Sequence, residues 1–205
     1  MLFTETVNPS TLELLKHLQK LDELRGARLV GGTALALQIG HRKSIDLDIF
    51  GAISSPWEEL MFSISKIADT QLLSSSKMMC FLRVDDIKVD VVNYPYKWID
   101  NPVTEDGVVL AGIRDIAAMK LSAITNRGTK KDFVDFYFLL QRYTMSELIG
   151  FYEMKYPDAQ MFATLKSLTY FDDAEEDPMP LMIIPVEWEL VKKSIINAIS
   201  EFLRR

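Results

Sequence analysis

Hydrophobic positions follow two different spacings along this chain, and the switch between them divides it into two halves. After Asn8-Pro9-Ser10, Leu14, Leu15, Leu18, Leu21 and Leu24 recur at helical intervals. Ser10 and Glu13 have capping-box spacing, and Gly26 marks the stop. Ala27–Val30 is short, apolar and bounded by glycines, which predicts a strand. Thr33–Ile39 reads as a short apolar helix closed by Gly40, and Ile45–Phe50 as the next strand. Ser55-Pro56 opens a helix to about Asp69, with Pro56 in the first position and Glu58 as box partner of Ser55. Met79–Val84 and Ile87–Asn93 alternate as strands about a tight Asp85-Asp86 turn. Lys88 and Asp90 share one face of the second, with Val89 and Val91 on the other. Val103–Leu110 reads as an edge strand.

From Arg114 onward only helical spacing remains, over 114–126, 130–142, 145–155, 159–168 and 187–204, with Thr144 and Glu147 as a further capping box. The stretch 172–177 reads as an acidic loop, and Thr169–Pro185 as a joining segment. A mixed front half and a helical back half predict an α+β fold, divided at 1–110 and 111–205.

Length and composition suit a globular protein with a proper core: 205 residues, 48% hydrophobic and 25% charged. No apolar run approaches the roughly 20 residues that span a bilayer, and the N-terminus lacks the basic segment of a signal peptide. One cysteine, Cys80, rules out an internal disulfide and suits a reducing compartment. The expectation is a cytoplasmic protein with no membrane partner and with Cys80 as a small buried hydrophobe. A net charge of −6 argues against indiscriminate nucleic-acid coating, though not against a local basic path. Arg114, Lys120, Arg127, Lys130 and Lys131 are candidates for such a path.

The most informative chemistry is Asp46-Leu-Asp48 inside an apolar strand, following Gly31-Gly32-Thr33. Side chains two apart on a strand point the same way. Two carboxylates so placed repel unless a cation neutralises them. Hard oxygen ligands favour Mg2+, which takes one or two carboxylates and substrate phosphates. A Gly-Gly turn before a helix offers backbone amides to a phosphate. Together these features point to metal-assisted phosphoryl or nucleotidyl transfer. His17 and His41 give no zinc spacing. Ser-His-Asp, Walker and Rossmann patterns are absent.

Three segments carry a resemblance: Gly31-Gly32-Thr33 with Asp46-x-Asp48; Lys88-Val-Asp90; and Arg114 through Lys120 and Arg127 to Lys131-Asp132-Phe-Val-Asp135. Over about residues 28–140 the chain resembles the nucleotidyltransferase superfamily. More narrowly it looks like the AbiEii/AbiGii abortive-infection toxins of bacterial type IV toxin–antitoxin systems. The resemblance implies a polymerase-beta-like nucleotidyltransferase fold with a small mixed sheet, followed by a helical region. It implies transfer of a nucleoside monophosphate from an NTP, with Asp46, Asp48 and Asp90 holding two Mg2+ ions (Mn2+ as the alternative). Gly31, Gly32, Thr33 and Ser44 would face the triphosphate, with Thr33 alternatively a helix cap and Arg42 a further phosphate contact. His41 reads as a surface or capping group. Lys120 would pair with the triphosphate. Asp132 would orient Lys120 or Arg127, or assist catalysis directly, and Asp135 would be structural. The implied partners are an NTP, a cognate antitoxin and an RNA acceptor such as the 3′ end of tRNA. Two alternatives stay open: transfer to a protein or small molecule, and an NTP-binding regulatory module without turnover.

Overall fold

A computed structural model of the chain describes residues 1–204, and the chain divides into two compact units. The first comprises Met1–Tyr96 and Asn101–Ala111; the second comprises Lys97–Asp100 and everything from Gly112 onward.

The first unit is built on one sheet with strand order β3-β4-β5-β2-β1-β7-β6. The strands are β1 (Arg28–Val30), β2 (Leu47–Gly51), β3 (Thr70–Ser75), β4 (Met79–Val84), β5 (Ile87–Asn93), β6 (Val103–Glu105) and β7 (Val108–Leu110). It is mixed: β2 runs parallel to β5 and antiparallel to β1, and β1 runs parallel to β7. Alternation divides its faces. Leu29, Leu47, Ile49, Cys80, Leu82, Val89 and Val91 are fully buried on one side. Their alternates Arg28, Asp48, Phe50, Phe81, Asp90 and Val92 are only half-buried on the other. This unit also carries α1 (Pro9–Leu18), α2 (Gly31–Ile39) and α3 (Trp57–Ser65). Ala34–Leu37 of α2 are buried all round, as a helix inside a core must be.

Several boundaries differ from the sequence reading for local reasons. Helix α1 stops at Leu18 instead of Gly26, because Gln19 turns inward. Its side-chain amide donates to the Val109 carbonyl at 2.7 Å, and its side-chain oxygen accepts the Val109 amide at 2.9 Å. The boxes expected at Ser10 and Ser55 do not form; Asn8 and Pro56 hold the cap positions without side-chain caps. Helix α3 ends at Ser65. The stretch Val103–Leu110 is a hairpin and not one strand, because Asp106 and Gly107 both adopt positive φ, the two-residue turn that right-twisted strands favour. It also puts β7 inside the sheet.

The second unit contains α4 (Ile113–Asn126), α5 (Lys130–Leu140), α6 (Met145–Lys155), α7 (Met161–Ser167), α8 (Asp172–Glu175) and α9 (Trp188–Leu203). The Thr144–Glu147 capping box forms with both of its hydrogen bonds. The acidic stretch is not a bare loop, since it contains the turn α8. Asp177 accepts the Lys130 amide at the start of α5, and the Lys130 ammonium donates to the Glu175 and Asp177 carbonyls. Phe133, Phe171 and Trp188 pack ring to ring at 4.9–6.0 Å above this strap. No helix is long and apolar enough to cross a membrane among the described residues.

Candidate active site

The half-buried face of the sheet carries the acidic residues. Asp48 on β2 is the register partner of Asp90 on β5 and of Val30 on β1. Asp46 lies just ahead of β2. The register therefore sets a second carboxylate, from an adjacent strand, beside Asp48. Lys88 donates to Asp90 Oδ2 at 2.7 Å. Burial works against the charge on Lys88. The hydrogen bond and charge of Asp90, with Asp48 and Asp46 behind it, outweigh that and hold its pKa above the ordinary lysine value. The other oxygen, Asp90 Oδ1, is buried and has no hydrogen-bond partner. Such an atom costs free energy unless something else occupies its lone pairs.

Gly31 explains how the turn and the strand fit together. It has φ +68°, and a Cβ placed there would stand 2.2 Å from Asp48 Oδ2. Only glycine allows the helix entry to pass so close to that carboxylate. Thr33 is not a cap, because Val30 holds that position. Its buried hydroxyl instead donates to the Asp46 carbonyl and is hydrogen-bonded to the Ser44 hydroxyl at 2.8 Å. It thereby fixes the loop entering β2.

Neighbouring residues depart from expectation. His41 is fully buried and not a surface group, and Arg42 is buried with Nη1 on the Lys43 carbonyl. A run such as His-Arg-Lys does not announce that burial. The basic path is dispersed as well. Lys120 and Lys130 are buried, and Arg114 is paired with Asp100.

In the helical unit Lys120 forms ion pairs with Asp132 at 2.9 Å and Asp135 at 2.7 Å. Both carboxylates are wholly buried. Asp132 also accepts from Arg127 Nε at 2.9 Å and from the Thr129 hydroxyl at 2.6 Å. Burial alone would raise its pKa; the Lys120 charge, then Arg127 and Thr129, overcome that and hold it well below the usual carboxylate range. Asp132 is therefore bonded to both Lys120 and Arg127, the two side chains it was expected to orient. The sequence reading missed a second buried pair: Asp115 with Lys155 at 2.7 Å. Asp115 accepts the amides of Ile99 and Asp100, and Lys155 donates to the Lys97 carbonyl. Asp115 lies at the expected helix start, but nothing in its neighbours marks a partner 40 residues on.

The donor set around Asp48 suits a hard divalent cation: carboxylate oxygens alone, one of them buried without a partner. No three Asp, Glu, His or Cys side chains among the described residues gather into a ready metal cage. A magnesium-type ion requires no such cage, because it keeps waters and takes substrate phosphates.

Comparison with known proteins identifies the family and the fold. The family described as Nucleotidyl transferase AbiEii toxin, Type IV TA system, matches residues 82–202. The match begins inside β4 and continues to α9. It thus includes Asp90, Lys120 and Asp132, leaves Gly31, Asp46 and Asp48 outside, and extends over the helices beyond 145 in which the sequence showed no motif. An uncharacterized protein of Aquifex aeolicus is 34% identical over 197 residues, which is 93% of this chain and 95% of that protein. Two solved structures share the fold. JHP933 from Helicobacter pylori has a TM-score of 0.59 and 17% identity, covering 95% of this chain and 92% of that one. The nucleotidyltransferase toxin MenT4 from Mycobacterium tuberculosis has a TM-score of 0.57 and 16% identity, covering 94% and 82%.

Proposed function

Because the chain belongs to the AbiEii nucleotidyl transferase toxin family of type IV toxin–antitoxin systems, we propose that it moves a nucleoside monophosphate from an NTP onto an RNA hydroxyl, with the 3′ end of tRNA as the first candidate. The observation that carries the proposal is the Asp48–Asp90 pair, with Asp90 Oδ1 buried and without a hydrogen-bond partner. Asp46, Asp48 and Asp90 would hold a divalent cation, Mg2+ or alternatively Mn2+, which when bound offsets triphosphate charge and makes the acceptor hydroxyl more acidic.

The chain's own residues do the rest. The backbone at Gly31 and Gly32 approaches the triphosphate, since no Cβ stands in the way. Ser44 adds a hydroxyl donor, and Thr33 supports it from behind. The acceptor oxygen bonds to the α-phosphorus as the bond to the pyrophosphate oxygen breaks, and the hydroxyl proton passes to the Asp90 carboxylate. Lys120 and Asp132 carry over from the resemblance as the nucleotide-contacting residue and its orienter, with Asp135 and Arg127 fixing them. A cognate antitoxin follows from the family.

The test is incubation of wild type and Asp48→Ala with Mg2+, each α-labelled NTP, total RNA and lysate protein. Label in RNA with wild type alone supports the proposal. Label confined to a protein band keeps the chemistry and replaces the acceptor. NTP binding without any transfer would favour a regulatory module.

A further inference from the structure

We infer that Phe50, Tyr94 and Tyr96 form a stacking platform for the terminal base of a single-stranded RNA acceptor, on the side of Asp48 opposite the Gly31-Gly32 turn. The inference rests on the nucleotidyl-transfer reading above and adds to it where the acceptor lies.

The geometry comes from the register. Along β2 the half-buried face carries Asp48 and then Phe50. Val30, the last residue before Gly31, pairs with Asp48, while Arg28 pairs with Phe50. The Gly-Gly turn and Phe50 therefore lie on opposite sides of Asp48. On β5 the same face carries Asp90 and Val92, and Val92 is the partner of Phe50. Beyond β5 the Tyr94 amide donates to the Gly51 carbonyl, so the pairing continues. Tyr94 stays on that face and packs against Phe50 with ring centroids 5.3 Å apart, and Tyr96 packs on Tyr94 at 5.2 Å.

An in-line displacement places the attacking and leaving oxygens on opposite sides of the phosphorus. With the departing pyrophosphate at Gly31-Gly32, the attacking hydroxyl arrives from the direction of Phe50. A nucleotide whose hydroxyl reaches Asp48 and Asp90 would bring its base over the aromatic series. Aromatic rings are the common device for holding unpaired bases, because every base has a π-face. Arg28, the register partner of Phe50, places a positive charge on this face beside the platform, where a phosphate backbone would run. Tyr96 remains 46% exposed, and Phe50 and Tyr94 are half-buried, so ring surface is available.

The experiment uses a short oligoribonucleotide ending in 2-aminopurine, whose fluorescence falls on stacking. It compares wild type, Tyr94→Leu, Tyr96→Ala and Tyr96→Phe, with acceptor KM, NTP KM and kcat measured in parallel. The expected result is quenching by wild type and Tyr96→Phe but not by Tyr96→Ala. The acceptor KM should rise between about 5- and 150-fold for the non-aromatic variants, the range that loss of one stacked base implies, with NTP KM unchanged. Transfer to RNA with the same acceptor KM in every variant would overturn the platform and leave nucleotidyl transfer standing. A rise in NTP KM in place of acceptor KM would also overturn it, by giving the rings to the incoming nucleotide. Tyrosine-dependent quenching without transfer of label from any NTP would retain the platform and sink the transfer reading beneath it.

Discussion

Asp48 and Asp90 are direct register partners on adjacent parallel strands, so two carboxylates leave one face of the sheet side by side. Lys88 is hydrogen-bonded to Asp90. Replacing either by asparagine removes like-charge repulsion and also removes a metal-binding charge. Asp48→Asn and Asp90→Asn should each lower transfer by about 10²-fold or more, with a melting temperature equal to or above wild type. A calorimetric scan beside the labelling assay checks both halves. A variant that loses activity by unfolding would show a lowered transition instead.

Gly31 and Gly107 form a matched comparison. Both have positive φ, +68° and +78°, but a Cβ at Gly107 would meet nothing within 4 Å. Gly107→Ala incurs only the left-handed strain, about 1–2 kcal/mol. Gly31→Ala incurs that and pushes Asp48 aside. Urea unfolding should show the larger loss at Gly31, and transfer should fail only there.

The Lys120 cluster predicts an acid limit. Asp132 titrates lower in the folded chain than in the unfolded one, so its contribution is fully present at neutral pH. As pH falls below about 4 the unfolded chain takes up a proton first, and stability drains away. Denaturation followed against pH should flatten in Asp132→Asn over that acid range. Lys120→Met, which takes the shared ammonium from two buried carboxylates, should cost about 3–5 kcal/mol at neutral pH.

Cys80 is fully buried on β4, and burial, with Glu58 adding to it, pushes its thiol up to about 11. A thiol reagent at pH 8 should modify it only as fast as the chain opens. Reaction at the rate of a free thiol in native buffer would contradict this placement.

The legible parts of the chain were those in which side-chain alternation and turn chemistry agreed. The Asp85-Asp86 hairpin has both residues at positive φ, and the Lys88/Asp90 face emerged as spacing predicted. Strand β3 was not legible. Thr70–Ser75 lies at the sheet edge with all but its first residue exposed, and a register shift falls between Leu72 and Ser74. An exposed edge imposes no alternation. The Gly-Gly turn and the aspartates stood out because carboxylates are costly within an apolar strand. His41 was misread as a surface group, because nothing in the His-Arg-Lys run marks its burial. Lys130 was misread for a related reason. Its partners, Glu175 and Asp177, lie 45 and 47 residues on, beyond any local pattern.

Lys97–Asp100 belongs with the helices although strands precede and follow it. Its backbone satisfies the Asp115–Lys155 pair through Ile99, Asp100 and Lys97. The helical half is therefore not an exchangeable cassette. A crossover between relatives at Ala111 would bring Asp115 and Lys155 from one parent and the segment that presents their backbone partners from the other, so an exchange of the helical unit has to carry Lys97–Asp100 with it.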